Sequence, residues 1–147
     1  MTEIPEVIKD FIESFKICTV CFVDENQKPH CINCFYFFDF ENQLLVFKSS
    51  AGTNHASLTK AGAPISGTIL PETIDILKIK GVQFNGVIIS SEEIAKYNIS
   101  FSYHKKYPMS IAMPGYIWAA KLEALKHTDN TLVFGKKTLW KSKETAI

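Results

Sequence analysis

Apolar residues at the start of the chain recur with the period of an α-helix. Because a helical turn takes 3.6 residues, spacings of three and four place side chains on one face. The residues on this face are Ile4, Val7, Ile8, Phe11, Ile12 and Phe15. Pro5 suits a first helical turn, where a backbone N–H has no partner within the helix. The pattern predicts an amphipathic opening helix.

From Ile17 the apolar period changes to two, which is the side-chain period of a β-strand. Three such runs follow one another: Ile17–Val23, Pro29–Asp39 and residues 44–48. The short polar segments between them have the composition of turns. The pattern predicts a three-stranded meander.

A turn and a short helix are predicted after the third strand. Residues 49–53 are small and include a glycine, and residues 54–60 suit a short helix capped by Thr53 or a nearby serine. Residues 63–70 then have the pattern of another strand, which Pro71 and Glu72 end in a turn.

The long apolar stretch 73–90 is interrupted by Gly81 and Gly86. In a strand, such glycines indicate bulges or sharp bends of the kind that curl a sheet into a barrel. Ser90 and Glu93 then form a capping-box signal. It predicts a helix that runs to about Tyr107 and ends at Pro108, followed by a loop over 109–115.

Two final strands are predicted at residues 116–125 and 131–141, joined by a turn at 127–130. The total is about seven short strands and about three helices. This order favours a mainly β fold, a small closed or partly closed antiparallel barrel. Since we find no linker or internal repeat, we expect one domain over residues 1–147.

Charge and composition narrow the range of functions. The 147 residues carry 16 Lys and Arg against 15 Asp and Glu, a formal charge of +1. No global positive field attracts nucleic acid or an anionic membrane. The chain has no apolar run of transmembrane length, and its first residues are acidic instead of basic. We therefore expect a cytoplasmic protein without nucleic-acid or membrane partners.

The four cysteines form two C-x-x-C pairs, Cys18 with Cys21 and Cys31 with Cys34. This spacing resembles a four-thiolate zinc site. However, both pairs lie in strand patterns, where residues three apart point to opposite faces. The positions 18 and 34, like 21 and 31, sum to 52, so each cysteine is expected to oppose another across a hairpin. We predict buried free thiols, with zinc as the first alternative and a cytosolic redox pair as the second.

Two groups of residues are candidates for ligand binding. The turn 48–55 offers backbone N–H groups and hydroxyls before a helix, which suits a phosphate, although Ser50 or Thr53 would also serve simply as a cap. The second group combines aromatic rings and lysines, but Lys on an edge strand and Trp in a core are equally good explanations. It consists of Trp118, Lys121, His127, Asp129, Asn130, Phe134, Gly135, Lys136, Lys137 and Trp140.

Other chemistries lack a motif. The four histidines have no metal-binding spacing, and most of them are expected at the surface or at helix ends. No serine stands in a G-x-S-x-G elbow. The sequence therefore predicts no metal site and identifies no catalytic side chain.

Several segments together resemble the pyridoxamine 5'-phosphate oxidase-like FMN-binding split-barrel superfamily. They are the opening helix, residues 17–24, 29–33 (Pro-His-Cys-Ile-Asn), 36–39, 44–50 and 53–58. Residues 80–86 and 128–137, with Trp140, resemble those of a small bacterial subfamily within it. The resemblance extends over nearly the whole chain.

The resemblance implies a six-stranded antiparallel split barrel that forms a homodimer and holds FMN in two equivalent grooves between the chains. It places three residues of the second strand along the flavin ring: Cys31, Ile32 and Asn33. The residues it places near the ribityl phosphate are Lys48, Ser49, Ser50, Thr53, Asn54 and His55. Those it assigns to the partner chain are Gln83, Trp118 and Lys136.

The implied activity is a flavin-dependent oxidation or reduction of a small-molecule substrate, with the chemistry carried by the flavin. One position departs from the family, since Asn54 stands where an Arg is expected. Asn is neutral and lacks the bidentate fork of Arg, so Lys48 or His55 would have to compensate. The alternative is a non-catalytic dimeric binding or sensor module that keeps a degenerate flavin groove.

Overall fold

The structure is a computed structural model, and it describes residues 2–49, 60–131 and 135–145. The strands are β1 (Ile17–Val23), β2 (Pro29–Asp39), β3 (Leu44–Ser49), β4 (Pro64–Ile69), β5 (Lys80–Ile88), β6 (Tyr116–Asp129) and β7 (Lys136–Lys141). The helices are α1 (Glu6–Glu13), α2 (Ser91–Lys96) and α3 (Ile99–Lys106), with short 3-10 helices at Pro108–Ala112 and Lys143–Thr145.

The strands form one antiparallel sheet that closes on itself. Its order is β3-β2-β1-β4-β5-β6-β7, and a further pairing of β3 with β6 joins the two ends of a six-stranded barrel. Strand β7 lies outside this ring, paired with β6 alone. This confirms the prediction of a mainly β, antiparallel split barrel with about three helices.

The main core fills the barrel and extends under α1. Val20, Phe22 and Phe47 point inward from the strands, and Ile8 and Ile12 of α1 belong to the same buried cluster. The predicted opening helix is confirmed, beginning directly after Pro5 and ending at Glu13.

A second apolar cluster lies outside the barrel, between β3 and the helices that follow β5. Leu44 and Val46 of β3 pack there against Ile99 and Tyr103 of α3. Leu45 and Phe47 face the barrel interior. Both faces of β3 are therefore buried, which explains its unbroken apolar run.

The predicted bulge at Gly86 is confirmed. The register between β5 and β6 shifts between Asn85 and Gly86, so that Glu123 has no partner. A Cβ on Gly86 would lie 2.3 Å from the carbonyl oxygen of Lys121, which only glycine avoids. At Gly81 the expectation of a bulge is wrong, because this residue pairs in register with Thr128.

The first part of the stretch 73–90 is not a strand. Asp75 accepts hydrogen bonds from the backbone N–H of Leu77 through its side chain and of Lys78 through its carbonyl oxygen. This turn withdraws the backbone from the sheet, so β5 begins only at Lys80. It leaves Ile76 and Leu77 exposed to solvent.

The predicted helix from Ser90 to Tyr107 is two helices. Its capping box is confirmed, since Ser90 and Glu93 exchange hydrogen bonds between side chain and backbone. The chain becomes extended at Tyr97, which ends α2, and α3 begins at Ile99. This break brings Ile99 and Tyr103 against β3.

The last hairpin turns later than predicted. β6 continues through residues 127–129, and β7 begins at Lys136 instead of 131 because Asp129 still pairs with Lys136. The predicted loop 109–115 contains most of the 3-10 helix Pro108–Ala112. The predicted helix 54–60 lies outside the described residues except for Lys60, which is not helical. Within the described ranges, no helix is long and apolar enough to cross a membrane.

Candidate functional site

The cysteines pair across β1 and β2 as predicted, but on two different faces. Cys18 opposes Cys34 with 3.8 Å between their Sγ atoms, and Cys21 opposes Cys31 with 2.6 Å between theirs. Since residues 18 and 21 differ by an odd number, the first pair points into the barrel and the second away from it. Four thiolates therefore do not converge on one zinc ion.

The thiols also differ in exposure. Cys18 is buried as expected, but Cys31 is exposed, so the prediction of buried thiols is wrong there. Desolvation, followed by the neighbouring Cys31 thiol, raises the pKa of Cys21 to about 11. In the part of the chain that the structure describes, no three potential metal ligands come together.

The outward face of the barrel carries two transverse rows of side chains, one residue from each strand in turn. The first row consists of Asn33, Thr19, Thr68, Gln83, Lys126 and Leu139. The second row consists of Cys31, Cys21, Ser66, Asn85, Ala124 and Lys141. Most of these side chains are hydroxyls, amides, thiols or lysines, so this face of the sheet is polar.

A groove of about 440 Å³ follows these rows across β4 to β7. Its polar lining includes Ser66, Thr68, Gln83, Asn85, Lys126 and Lys141, and Leu139 and Trp140 contribute apolar surface. Among the described lining residues there is no carboxylate and no histidine. The groove therefore offers hydrogen bonds and positive charge, but its described lining lacks histidine, the commonest acid–base side chain, and the carboxylates.

The end of β3 forms a second polar position. The hydroxyl of Ser49, which is buried, accepts a hydrogen bond of 2.8 Å from the indole N–H of Trp118. Lys48 lies on the other face, where its Nζ donates to the carbonyl oxygen of Ser110 at 2.6 Å and lies 3.3 Å from His104 Nε2. One lysine is thus fixed directly before the predicted phosphate-binding turn.

The structure brings some of the predicted cofactor residues together and separates others. Asn33 and Gln83 share a row, three strand spacings or roughly 14 Å apart. Cys31 also faces outward, whereas Ile32 packs against the core. Lys136 is exposed at the start of β7, opposite Asp129.

Some of the remaining predicted cofactor residues lie at the end of β3, and the others lie outside the described part of the chain. Ser49 and Trp118 meet at the end of β3, whereas Lys48 lies on the opposite face of that strand. The predicted residues that lie outside the described part are Ser50, Thr53, Asn54 and His55.

Sequence reasoning did not select several groove residues, among them Ser66, Asn85 and Lys126. The alternation of β5 could have identified Asn85, because it lies on the same face of the strand as the predicted Gln83. The register between β4, β5 and β6, which brings Ser66 and Lys126 to the same place, depends on pairing that no single strand reveals.

The C-terminal group of aromatics and lysines does not form one site. Trp140 is buried, and its indole N–H donates to the carbonyl oxygen of Thr2 at 3.1 Å. His127 is buried against the ring of Phe11, and so differs from the surface or helix-end positions expected for most of the histidines. Burial lowers the pKa of His127 from its ordinary value, which favours the neutral ring.

Comparison with known proteins places this architecture in a family. No profile of a known protein family matches the chain. The UPF0306 protein YhbP of Salmonella schwarzengrund is 37% identical over 110 residues, which are 75% of each chain.

Solved structures share the fold at low identity. A pyridoxamine 5'-phosphate oxidase-related, FMN binding protein from Nostoc punctiforme has a TM-score of 0.69 at 9% identity, covering 99% of this chain and 94% of that one. A heme binding protein from Mycobacterium smegmatis has a TM-score of 0.61 at 14% identity, covering 92% of this chain and 57% of that one. The chain belongs to the UPF0306 family, and its fold is the split barrel of the pyridoxamine 5'-phosphate oxidase-related proteins.

Proposed function

We propose that this protein binds FMN between two copies of the chain and uses it as a flavin-dependent oxidoreductase for a small-molecule substrate. The observation that carries the proposal is the polar groove on the outward face of the split barrel. Its volume of about 440 Å³ lies within the range of roughly 300 to 1,000 Å³ that is typical of small-molecule sites.

The groove's side chains fit the ring of a flavin. The amides of Gln83 and Asn85 each offer a donor and an acceptor, which suits the alternating polar edge of such a ring. Lys126 and Lys141 supply positive charge, which favours the negative charge that a flavin gains on reduction. The bound flavin would supply the redox chemistry. The side chains would then need only to bind and orient the flavin and to neutralise its negative charge.

Lys48 suits the phosphate. An ammonium group has three donors, and one of those of Lys48 is used on the carbonyl oxygen of Ser110. A second contact joins its Nζ to His104 Nε2 at 3.3 Å, which leaves a third donor for an anion. The nearby His104 restricts the lysine further, which lowers the entropy lost on binding an anion.

The distance between Lys48 and the groove favours an FMN site made by two chains. Lys48 opposes Ile117 on β6, whereas Gln83 opposes Lys126 on the same strand. Nine residues of strand span about 30 Å, which is too far for a single flavin to reach both within one chain. A symmetric dimer would instead place the Lys48 end of one chain beside the groove of its partner.

The test is a titration of the purified protein with FMN, followed by flavin fluorescence. We expect Lys126→Ala to weaken binding about tenfold, as the loss of one charge-assisted hydrogen bond does. Lys96→Ala, at an exposed position of α2 outside the groove, is the matched control and should bind like wild type. If wild type and both variants bound FMN with equal affinity, the groove would not be the FMN site. If wild type did not bind FMN, the cofactor itself would be wrong.

A second candidate is a binding or sensor module without turnover. It is supported by the lack of carboxylates and histidines among the described residues that line the groove. The two functions differ in one measurement, the reoxidation of protein-bound reduced flavin in the presence of candidate substrates. Repeated turnover supports the oxidoreductase, and binding without turnover supports the module.

A further inference from the structure

The outward cysteine pair occupies a distinct position in the ladder between β1 and β2. The backbone N–H of Tyr36 donates to the carbonyl of Lys16, and that of Asp24 donates to the carbonyl of Lys28. In an antiparallel pair, hydrogen-bonded and non-hydrogen-bonded positions alternate. The two bonds lie at residues 16 and 24, so the even-numbered residues of β1 occupy hydrogen-bonded positions and the odd-numbered ones do not. Cys21 and Cys31 are therefore a non-hydrogen-bonded pair, in which side chains lie closer together.

The sulfur positions follow this difference. The Sγ atoms of Cys21 and Cys31 are 2.6 Å apart, whereas those of the hydrogen-bonded pair Cys18 and Cys34 are 3.8 Å apart. The Cα separations typical of both kinds of position, about 4.5 and 5.5 Å, lie within the range that a disulfide spans. The backbone therefore allows a bond in either place, and the side chains favour the outward one.

Access to solvent separates the two pairs further. Cys31 is exposed and Cys21 is half-buried, so a small reagent reaches the outward sulfurs directly. Cys18 is 1% exposed within the barrel core. The outward pair thus combines the shorter distance with one exposed thiol, whereas the inward pair has the longer distance and one fully buried thiol.

We propose that Cys21 and Cys31 are a reversible dithiol site, which a low-molecular-weight disulfide oxidises to an intrachain disulfide. The thiolate of Cys31 attacks one sulfur of the small disulfide, forming a mixed disulfide and releasing one small thiol. The thiolate of Cys21 then attacks Cys31 Sγ and releases the second.

The exchange conserves atoms and electrons. The protein loses two hydrogens, as two protons and two electrons, and the small disulfide gains both and becomes two thiols. Excess small thiol reverses the reaction. Neither direction requires a bound cofactor. Because Cys21 also lines the groove proposed for the flavin, the exchange is measured on protein without added FMN, so that its outcome does not depend on flavin binding.

The inference is tested by incubating the native protein with oxidised glutathione, then measuring its intact mass and mapping its disulfide-linked peptides. We expect a loss of two hydrogens per chain, a Cys21–Cys31 crosslink, and recovery of the original mass with excess reduced glutathione.

Two single variants sharpen the test. Cys34→Ala leaves the outward pair intact and should still lose two hydrogens, whereas Cys31→Ser should not. The inference is overturned by a lasting glutathione adduct without hydrogen loss, by a Cys18–Cys34 crosslink, or by a disulfide between chains. Hydrogen loss in Cys31→Ser would overturn it equally.

Discussion

At the scale of single residues, strand alternation decides which side chains form the groove. Gln83 and Asn85 point outward from β5, and Phe84 between them is buried in the core. Alternation is readable from the sequence, and in the structure it puts Cys31 and Asn33 on one face. It also places Ile32 inward, so a role for this residue along the flavin ring would have to come from its backbone.

His127 gives a pH prediction at this scale. Burial lowers the pKa of His127; the charge of Asp129 raises it, and the charges of Lys80 and Lys136 lower it further. Since the net shift is downward, the unfolded state binds the proton more tightly than the folded state. Stability contributed by His127 is therefore present above the unfolded pKa of about 6.5 and is lost as the pH falls toward the lower folded pKa.

Urea unfolding between about pH 7.5 and 5 measures this effect. The free energy of unfolding should decrease with falling pH in wild type, and the decrease should be smaller in His127→Gln. The same slope in both proteins would show that His127 does not titrate differently in the two states.

At the scale of elements, local signals were sufficient where a segment's own chemistry sets its limits. Pro5 and the capping box of Ser90 and Glu93 mark helix starts correctly. The errors lie where tertiary contacts decide: α2 ends at Tyr97 although the local pattern continues. Likewise, β6 extends through a sequence typical of turns because Lys136 pairs with Asp129.

Strand β4 shows how one residue limits an element. Gly67 faces inward between β1 and β5, and a Cβ there would lie 2.0 Å from the carbonyl oxygen of Thr19 and 2.3 Å from Phe84 Cζ. No sequence pattern signalled this role, because it depends on the neighbouring strands.

We therefore expect Gly67→Ala to destabilise the protein by about 3 kcal/mol, the upper part of the range typical of overpacking, because a backbone atom is among those displaced. Ser66→Ala, at the adjacent exposed position, should change stability by less than about 0.5 kcal/mol. Urea denaturation of both variants gives the comparison. A Gly67→Ala protein as stable as the Ser66→Ala protein would mean that β4 moves freely between its neighbours.

At the scale of the whole molecule, exposed apolar side chains suggest a surface on which the proposed second copy would pack. Met109, Ile111 and Met113 are all more than half exposed along and just after the 3-10 helix. Ser110 in the same helix holds Lys48, so this surface adjoins the proposed phosphate position. Large exposed apolar patches of this kind typically mark interaction sites.

We expect Ile111→Glu to shift the protein from dimer to monomer, because a charge would be buried in the contact. Val7→Glu, which introduces the same charge at an exposed position of α1, is the control and should remain dimeric. Sedimentation at several concentrations distinguishes the two states. Dissociation by Val7→Glu alone would move the contact to α1.

The central claim is that two chains together hold FMN. The most direct measurement is size-exclusion chromatography with light scattering and visible absorbance, after mixing the protein with FMN and removing the excess. We predict flavin absorbance that elutes with the mass of a dimer, at about one FMN per chain. A colourless dimer would contradict the cofactor, and flavin bound to a monomer would contradict the shared site.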